Sequence, residues 1–328
     1  MTLTLHGLTF DFSSEDDELQ RRIRGVFAAY GFPLGPPATG EVDGRLHVET
    51  VDTLPPLPTG LREVGVDNNG VAVWQGGDLF CLRTPDATFT VDLADKRAEG
   101  SVTMARAAEM GAPVMWLTLW SLNLFLRCYH FFPLHAAALT RNGGPGLIAT
   151  GASGSGKSTL ACNLLQEGWK FLSDDTVLLR PDADAVDVYA FRTNFSLRED
   201  SRTLFPDLLS HGRERPTGER KHWIPVRTLY PDQAADSCTP QVLLFPEVTD
   251  HTESRLTPVS PVEALHCLVG QSALVRFRRD WAEEHLTLLV RLTHQAQSFK
   301  LEAGQDLLEH PGRSHDLVAP LLHASFSA

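Results

Sequence analysis

The chain has 328 residues, of which 42% are hydrophobic and 21% charged, a composition typical of globular proteins with one or two domains. Its 29 basic and 41 acidic residues give a net charge of −12, and this acidic balance disfavours nucleic acid as a partner. Five scattered cysteines without CxxC spacing argue against a disulfide framework and a structural zinc site. They indicate a reducing, cytoplasmic setting.

The first hundred residues predict a small mixed domain rich in antiparallel strands. The segment TLTLHGLTFDF alternates apolar and polar residues, which predicts a strand and not a signal peptide. A helix is expected through EDDELQRRIRGVFAAYG, capped by Ser13 or Ser14. Short alternating segments follow, namely RLHVETV, GVAVWQGG, DLFCLR and ATFTVDL. We therefore expect an N-terminal domain over residues 1–110, without a chemical motif but suited to substrate recognition.

The longest apolar segment, Pro113–Leu126, contains 14 residues and is interrupted by Asn123. A helix that spans a membrane needs about 20. The segment therefore predicts a buried helix, and no membrane is expected as a partner. It opens the second predicted domain, residues 111–328.

A phosphate-binding loop is predicted near the middle of the chain. The segment GASGSGKST satisfies the pattern GxxxxGK[ST] and lies between an apolar strand, GLIAT, and an apolar helix, KSTLACNLLQEG. Gly168 is a plausible C-cap for that helix. Glycines let backbone N–H groups face phosphate oxygens, a lysine reaches the β and γ phosphates, and a serine hydroxyl can bind magnesium. The nucleotide-binding residues are predicted to be Gly151, Ala152, Ser153, Gly154, Ser155, Gly156, Lys157, Ser158 and Thr159.

The strand before the loop is expected to be the second arm of a hairpin. FFPLHAAALT predicts the first arm, and RNGG is a strong turn signal before GLIAT. This arrangement differs from P-loop folds in which a crossover helix leads into the same strand.

Two adjacent carboxylates, Asp174 and Asp175, follow one helix and one strand after the loop. In P-loop enzymes an acidic residue from a neighbouring strand reaches the magnesium ion. One carboxylate can hold the metal while the other accepts a proton from an attacking hydroxyl. His135, on the strand before the loop, is a further candidate, although a lone histidine among apolar residues is more often part of a core.

Together, the histidine strand, the GxSGxGKS loop and the Asp-Asp pair resemble the C-terminal catalytic domain of HPr kinase/phosphorylase. More broadly they resemble the fold shared with ATP-dependent phosphoenolpyruvate carboxykinase. The match is specific from His135 to about Arg180 and looser through FSLRED, ERKHWIPV and PVSPVEALHCLVGQS. The resemblance implies an α/β fold with a mixed α+β sheet, in which a P-loop core of this type follows the smaller N-terminal domain.

The resemblance also implies a kinase that uses ATP and Mg²⁺. By the family pattern Asp174 is the general base, Asp175 acts through the metal together with Ser158, and His135 lies beside the pair. The reverse assignment of the two aspartates stays open, because neighbouring carboxylates titrate as a unit. Arg198 resembles an arginine that related kinases hold near the substrate, and Arg220 and Lys221 are candidates for phosphate or substrate contacts.

The chain departs from HPr kinases at several points. Ala136 follows the histidine where those enzymes have glycine, and their C-terminal signature and N-terminal domain are not recognised here. HPr itself, the phosphorylase reaction and the hexamer are therefore not carried over, and a homo-oligomer of another kind stays open.

The leading hypothesis is a kinase that phosphorylates a serine or threonine of a peptide or small protein. The first alternative is a kinase for a small metabolite, such as free serine or another alcohol. The second is a nucleotide-dependent binding or switch protein with little turnover. A carboxykinase is disfavoured, because its arginine, histidine and lysine constellation is not found. ATP, GTP and pyrophosphate all remain open as donors.

Overall fold

The computed structural model describes residues 1–67, 70–103, 112–141, 143–199, 201, 204–214, 221–272 and 278–322. The chain divides into two compact units, Met1–Phe131 and Phe132–Ala328. Both units combine helices with strands, and the protein is of mixed α/β class with several mixed sheets. Within the described ranges, no helix has both the length and the apolar character needed to cross a membrane.

The first unit is built on a nine-stranded sheet in the order β3-β1-β2-β4-β9-β8-β7-β6-β5. Its strands pair antiparallel except at the two junctions of β4, with β2 and with β9, which are parallel. The strands are β1 (Thr2–Leu5), β2 (Leu8–Ser13), β3 (Leu34–Gly35), β4 (Gly44–Val51), β5 (Arg62–Val66), β6 (Ala72–Gly76), β7 (Leu79–Arg83), β8 (Ala87–Asp92) and β9 (Arg97–Thr103). The helices described in this unit are α1 (Asp17–Ala29) and α2 (Ala112–Cys128).

The N-terminal segment forms a hairpin where the alternation pattern predicted one strand. His6 and Gly7 both have positive φ, 50° and 83°, as a two-residue hairpin turn requires, so the chain reverses between β1 and β2. The N-cap of α1 is Asp16 and not Ser13 or Ser14, because its carboxylate accepts hydrogen bonds from the backbone N–H groups of the first turn.

Helix α2 contains the long apolar segment, and most of its described side chains are buried. It packs on β8 and β4 and so belongs to the first unit. The sequence-based division at residue 110 assigns the same segment to the second domain. In the structure, the boundary between the compact units lies 21 residues later along the chain, between Phe131 and Phe132.

The described part of the second unit contains three sheets, in the orders β13-β11-β12-β20-β22-β21, β10-β14-β15-β19 and β16-β18-β17. The six-stranded sheet is mixed: β12, β20 and β22 run parallel, and β11 pairs antiparallel with both β12 and β13. The strands are β10 (Phe132–Leu134), β11 (Ala136–Thr140), β12 (Gly146–Thr150), β13 (Lys170–Ser173), β14 (Val177–Pro181), β15 (Val186–Ala190), β16 (Phe195–Arg198), β17 (Arg213–Glu214), β18 (Lys221–Ile224), β19 (Ser237–Cys238), β20 (Pro240–Val248), β21 (Arg255–Pro258) and β22 (Gln297–Ala303).

The helix after the glycine-rich loop packs against two sheets of this unit. It packs on β11, β13 and β16, and its leucines join a core with Trp169 and Phe171. Gly168 follows its C-cap with φ of 80°, in the left-handed region that favours glycine. The helices are α3 (Lys157–Gln166), α4 (Pro206–Ser210), α5 (Val226–Leu229), α6 (Pro261–Gly270), α7 (Arg279–Gln295), α8 (Asp306–Glu309) and α9 (Gly312–Val318).

The chain passes from one sheet to another at two neighbouring points. His135 separates β10, in the four-stranded sheet, from β11, in the six-stranded sheet. Residues 174–176 separate β13, in the six-stranded sheet, from β14, in the four-stranded sheet. Because β11 pairs with β13 and β10 pairs with β14, the two transitions lie side by side. This arrangement brings His135 and the aspartate pair together.

Candidate functional site

The predicted phosphate loop has the backbone conformation that its glycines allow. Gly151, Gly154 and Gly156 have φ of 158°, 85° and 97°, all in the region that side chains disfavour. A Cβ on Gly151 would lie 3.0 Å from Ser155 Oγ. Helix α3 begins after Gly156 without a side-chain cap, which leaves the N–H groups of its first turn for an anion.

Lys157 and Ser155 both have buried polar side-chain atoms in this loop. The Lys157 side chain is buried, and its Nζ donates to the carbonyl oxygens of Gly151 and Ala152 at 2.8 and 2.9 Å. Ser155 Oγ is also buried and has no hydrogen-bond partner among the described residues. A buried hydroxyl without a partner costs free energy unless a ligand satisfies it.

Ser158 connects the loop to the aspartate pair. Its hydroxyl donates to the Asp174 carboxylate, at 3.0 Å from Oδ1 and 3.2 Å from Oδ2. The backbone N–H of Ser196 donates to Asp174 Oδ2 at 3.0 Å. Asp174 is therefore held between the first turn of α3 and strand β16.

Asp174 is only 1% exposed. Burial raises the pKa of its carboxyl, and four interactions oppose that shift: the Ser196 N–H, the Ser158 hydroxyl, and the charges of Arg192 and Lys157. A bound cation stabilises a carboxylate in such surroundings, because its positive charge replaces the hydration that the buried group lacks.

Asp175 has different surroundings from its neighbour. Its side chain is 34% exposed, and its backbone φ of 69° is uncommon for a residue other than glycine. His135 Nδ1 donates to the backbone oxygen of Asp175 at 2.6 Å and lies 3.4 Å from its Oδ1. Arg192 forms an ion pair with Oδ2. The carboxylate is thus oriented by a histidine on one side and a guanidinium on the other.

His135 is itself positioned by the strand that leads into the loop. Thr150 Oγ1, at the end of β12, donates to its backbone oxygen at 2.8 Å, and its N–H donates to Gln271 O at 3.2 Å. The histidine lines the same cavity as the loop, and it is not enclosed in an apolar core, because a third of its side chain is exposed.

His135, Lys157, Ser158 and the two aspartates line one cavity of about 430 Å³. Strand β16 alternates, with Phe195 and Leu197 in the core and Ser196 and Arg198 on the opposite face. Arg198 is exposed and reaches the cavity. The residues around the cavity are His135, Ser153, Gly154, Gly156, Lys157, Ser158, Thr159, Asp174, Asp175, Ser196, Leu197, Arg198, Ser201 and Val248.

The basic segment after residue 212 is described only in part. Lys221 is the first residue of β18, and its backbone pairs in register with Arg198. Its side chain and the whole of Arg220 lie outside the described residues, so their predicted contacts remain predictions.

Arg192, Ser173 and Ser196 belong to the site although the motif did not identify them. Ser173 Oγ accepts hydrogen bonds from the N–H groups of Phe191 and Arg192 and donates to Arg192 O at 2.7 Å, which fixes the turn that carries the guanidinium. A cationic residue directly after the apolar strand VDVYAF was the available signal for Arg192. The two serines carry no comparable signal.

The residues present fit a nucleoside triphosphate with magnesium. The uncapped N–H groups at the start of α3 and Lys157 suit phosphate oxygens, and Ser158 with Asp174 offers two oxygen ligands at one point. No group of three or more His, Cys, Asp or Glu that could hold a metal occurs among the described residues. A metal here would take its other ligands from phosphates and water, as Mg²⁺ commonly does.

No protein-family model matches the chain, and no curated protein matches it. Among solved structures, the chain is similar to the Hpr(Ser) kinase/phosphatase from Coxiella burnetii, with a TM-score of 0.31 and 14% sequence identity. The similarity covers 58% of this chain and 87% of that chain. A TM-score of this size is too low to establish a shared fold.

Proposed function

We propose that the protein is an ATP- and Mg²⁺-dependent kinase that transfers the terminal phosphate of the nucleotide to an alcohol. One observation carries the proposal: the loop serine, Ser158, is hydrogen-bonded to Asp174, while Asp175 and His135 line the same cavity as the loop. A glycine-rich turn that binds no ligand would not need two aspartates and a histidine beside it.

Ser158 and Asp174 are the residues that would hold magnesium. Their oxygens are 3.0 Å apart, and the buried carboxylate has a raised pKa because it lacks solvent. Magnesium held there would neutralise negative charge that develops on the phosphate during transfer. The protein contributes two fixed oxygen ligands and excludes water from one side of them.

Asp175 is the general base in this proposal. Its carboxylate is the more exposed of the pair, faces the cavity and is held by His135 and Arg192. The unusual φ at this residue is typical of positions where function compensates for local strain. These roles are the reverse of those that the family pattern implies, in which Asp174 is the base.

Two cations stabilise charge in the transferring group. Lys157 extends from the start of α3 over the loop and would act on the β and γ phosphates. Arg198 also lines the cavity and would neutralise charge there. For the acceptor we propose a serine or threonine of a peptide or small protein, with free serine or another metabolite as the alternative.

The first experiment incubates the full chain with γ-labelled ATP, Mg²⁺ and a cell extract, and then identifies the labelled species. A labelled protein or peptide supports the proposed acceptor, and a labelled small molecule supports the metabolite kinase. Tight ATP binding without any labelled acceptor would leave a binding or switch protein.

The second experiment separates the two aspartates. We expect Asp175→Asn to lower kcat by about 10²- to 10⁴-fold with little change in the ATP dissociation constant. Asp174→Asn should instead weaken the Mg²⁺ dependence of ATP binding. Asp236→Asn is the control, because that side chain is 74% exposed and lies outside the cavity. If Asp174→Asn abolished turnover while Mg²⁺ and ATP affinities stayed unchanged, Asp174 would be the base.

A further inference from the structure

The cavity beside the glycine-rich loop contains hydroxyl groups of the chain itself. Among the described residues around it, five carry a hydroxyl: Ser153, Ser158, Thr159, Ser196 and Ser201. A kinase for alcohols brings a hydroxyl oxygen to the terminal phosphate of its nucleotide, so each of these groups is a candidate acceptor. Their positions and hydrogen bonds distinguish them.

Four of the five hydroxyl groups are unsuitable as acceptors. Ser153, Ser158 and Thr159 belong to the segment GASGSGKST, which the proposed function assigns to the nucleotide and the metal. The Ser158 hydroxyl also donates to the Asp174 carboxylate. The Oγ atom of Ser196, in strand β16, is buried, so no phosphate group can reach it in this arrangement.

Ser201 differs from the other four in its surroundings. It follows strand β16, which ends at Arg198, and it lines the same cavity as Lys157 and Asp175. The residue is half-buried, and no described residue forms a hydrogen bond with its hydroxyl. The cavity therefore holds one hydroxyl that belongs neither to the glycine-rich loop nor to the buried part of its wall.

Backbone hydrogen bonds hold the chain on both sides of Ser201. On the N-terminal side, the Ser196 N–H donates to Asp174 Oδ2 at 3.0 Å, which connects β16 to the aspartate pair. On the C-terminal side, the Ser201 carbonyl oxygen accepts from the N–H groups of Leu204 and Phe205 at 3.1 and 2.9 Å. Phe205 is buried in the core of the second unit. Ser201 is thus anchored between the aspartate pair and that core.

We propose that Ser201 is an autophosphorylation site and that the phosphate is transferred within one chain. The inference rests on the proposed function, because it uses ATP as the donor and Asp175 as the general base. Ser201 Oγ forms a bond with the terminal phosphorus of ATP and gives its proton to Asp175. The bond from that phosphorus to the oxygen bridging to the β phosphate breaks, and ADP leaves with that oxygen.

The cavity is also suited to retain the product. A phosphoserine carries a charge of about −1.5 to −2 at pH 7 and three strong acceptor oxygens. Arg198 and Lys157 line the same cavity, and hydrogen bonds between charged groups are stronger than those between neutral groups. These two cations stabilise a phosphate on Ser201.

The test incubates the purified full chain with γ-labelled ATP and Mg²⁺, without extract, and maps the label by mass spectrometry. We expect one phosphate per chain, on Ser201, and Ser201→Ala should remove the label without lowering Tm. Asp175→Asn should slow labelling by about 10²- to 10⁴-fold, which excludes a contaminating kinase. The labelling rate per molecule should not depend on protein concentration, because donor, base and acceptor belong to one chain.

Ser210→Ala is the matched control, because that serine is exposed and lies outside the cavity. It should be labelled as fast as the unmodified chain. The inference is overturned if the label maps to another residue, if Ser201→Ala is labelled normally, or if the rate per molecule rises with protein concentration. If an acceptor in the extract is labelled while the chain is not, the inference fails and the proposed function stands. If neither is labelled although ATP binds, the proposed function fails as well.

Discussion

Asp174 is a charged group that the protein removes almost completely from water. Because burial raises its pKa, the folded protein holds this proton more tightly than the unfolded chain does. Above the raised pKa the ionised carboxylate therefore lowers the free energy of unfolding. Below the ordinary value of 3.8 the group is neutral in both states, and this cost disappears.

Asp174→Asn should therefore stabilise the protein when nucleotide and Mg²⁺ are absent. The amide oxygen keeps the hydrogen bonds from Ser158 and from the Ser196 N–H, and the buried charge is removed. We expect Tm to rise by a few degrees at pH 8 and the gain to shrink as pH falls toward 3.8. Calorimetry over that pH range checks this. A lower Tm at pH 8 would mean that Lys157 and Arg192 outweigh the cost of burial.

The Ser173 hydroxyl holds the turn that carries Arg192, although Ser173 does not line the cavity. Its side chain is fully buried and satisfies the N–H groups of Phe191 and Arg192. Ser173→Ala removes both of these hydrogen bonds inside the protein and should lower the free energy of unfolding by about 1–3 kcal/mol. Activity should fall as well, because Arg192 orients Asp175.

Urea denaturation measures the first effect, and Ser210→Ala is its control. Ser210 also donates a hydrogen bond to a backbone oxygen, but it is exposed, so its removal should cost less than about 0.5 kcal/mol. Equal effects of the two substitutions would show that the Ser173 network is not important for stability.

Among the elements, strand β12 leads directly into the glycine-rich loop. It lies between β11 and β20, and its first residue, Gly146, has no room for a side chain. A Cβ there would lie 2.2 Å from Cys238 Sγ. The strand can approach β19 and β20 this closely only with glycine at that position.

Gly146→Ala should destabilise the protein by about 1–3 kcal/mol through overpacking. Cys238→Ala removes the sulfur, so the double variant should recover part of the loss, and a double-mutant cycle by denaturation measures this coupling. Gly144→Ala is the control, because its nearest neighbour would be 3.6 Å away. Additive effects at residues 146 and 238 would contradict the proposed clash.

At the scale of the whole molecule, ligand binding should raise the free energy of unfolding. A ligand that binds only the folded state stabilises it by about 2.7 kcal/mol at a concentration 100 times its dissociation constant. Mg²⁺ with ATP should therefore raise Tm, and hydrogen exchange should slow in the loop and at residues 173–176. Lys157→Ala should remove both effects. Protection that persisted in Lys157→Ala would place the nucleotide elsewhere.

The local elements of the site were predictable from sequence because their signals are local. Strand β12 has the predicted bounds, and α3 begins within the loop motif as expected. The errors also have local causes: the His6–Gly7 turn lacks a strong turn signal, and Asp16 was one of several residues able to cap α1. The sequence pattern alone does not distinguish the residue that caps the helix from its neighbours.

The sequence by itself determined the glycine-rich loop, its flanking elements and the presence of an acidic pair, since these follow from residue type and spacing along the chain. Only the tertiary structure decided that Asp174 is buried against Ser158 while Asp175 is held by His135 and Arg192. The reason is that two strand pairs change sheets at adjacent points. Contacts between residues so far apart along the chain depend on that topology, which no local pattern encodes.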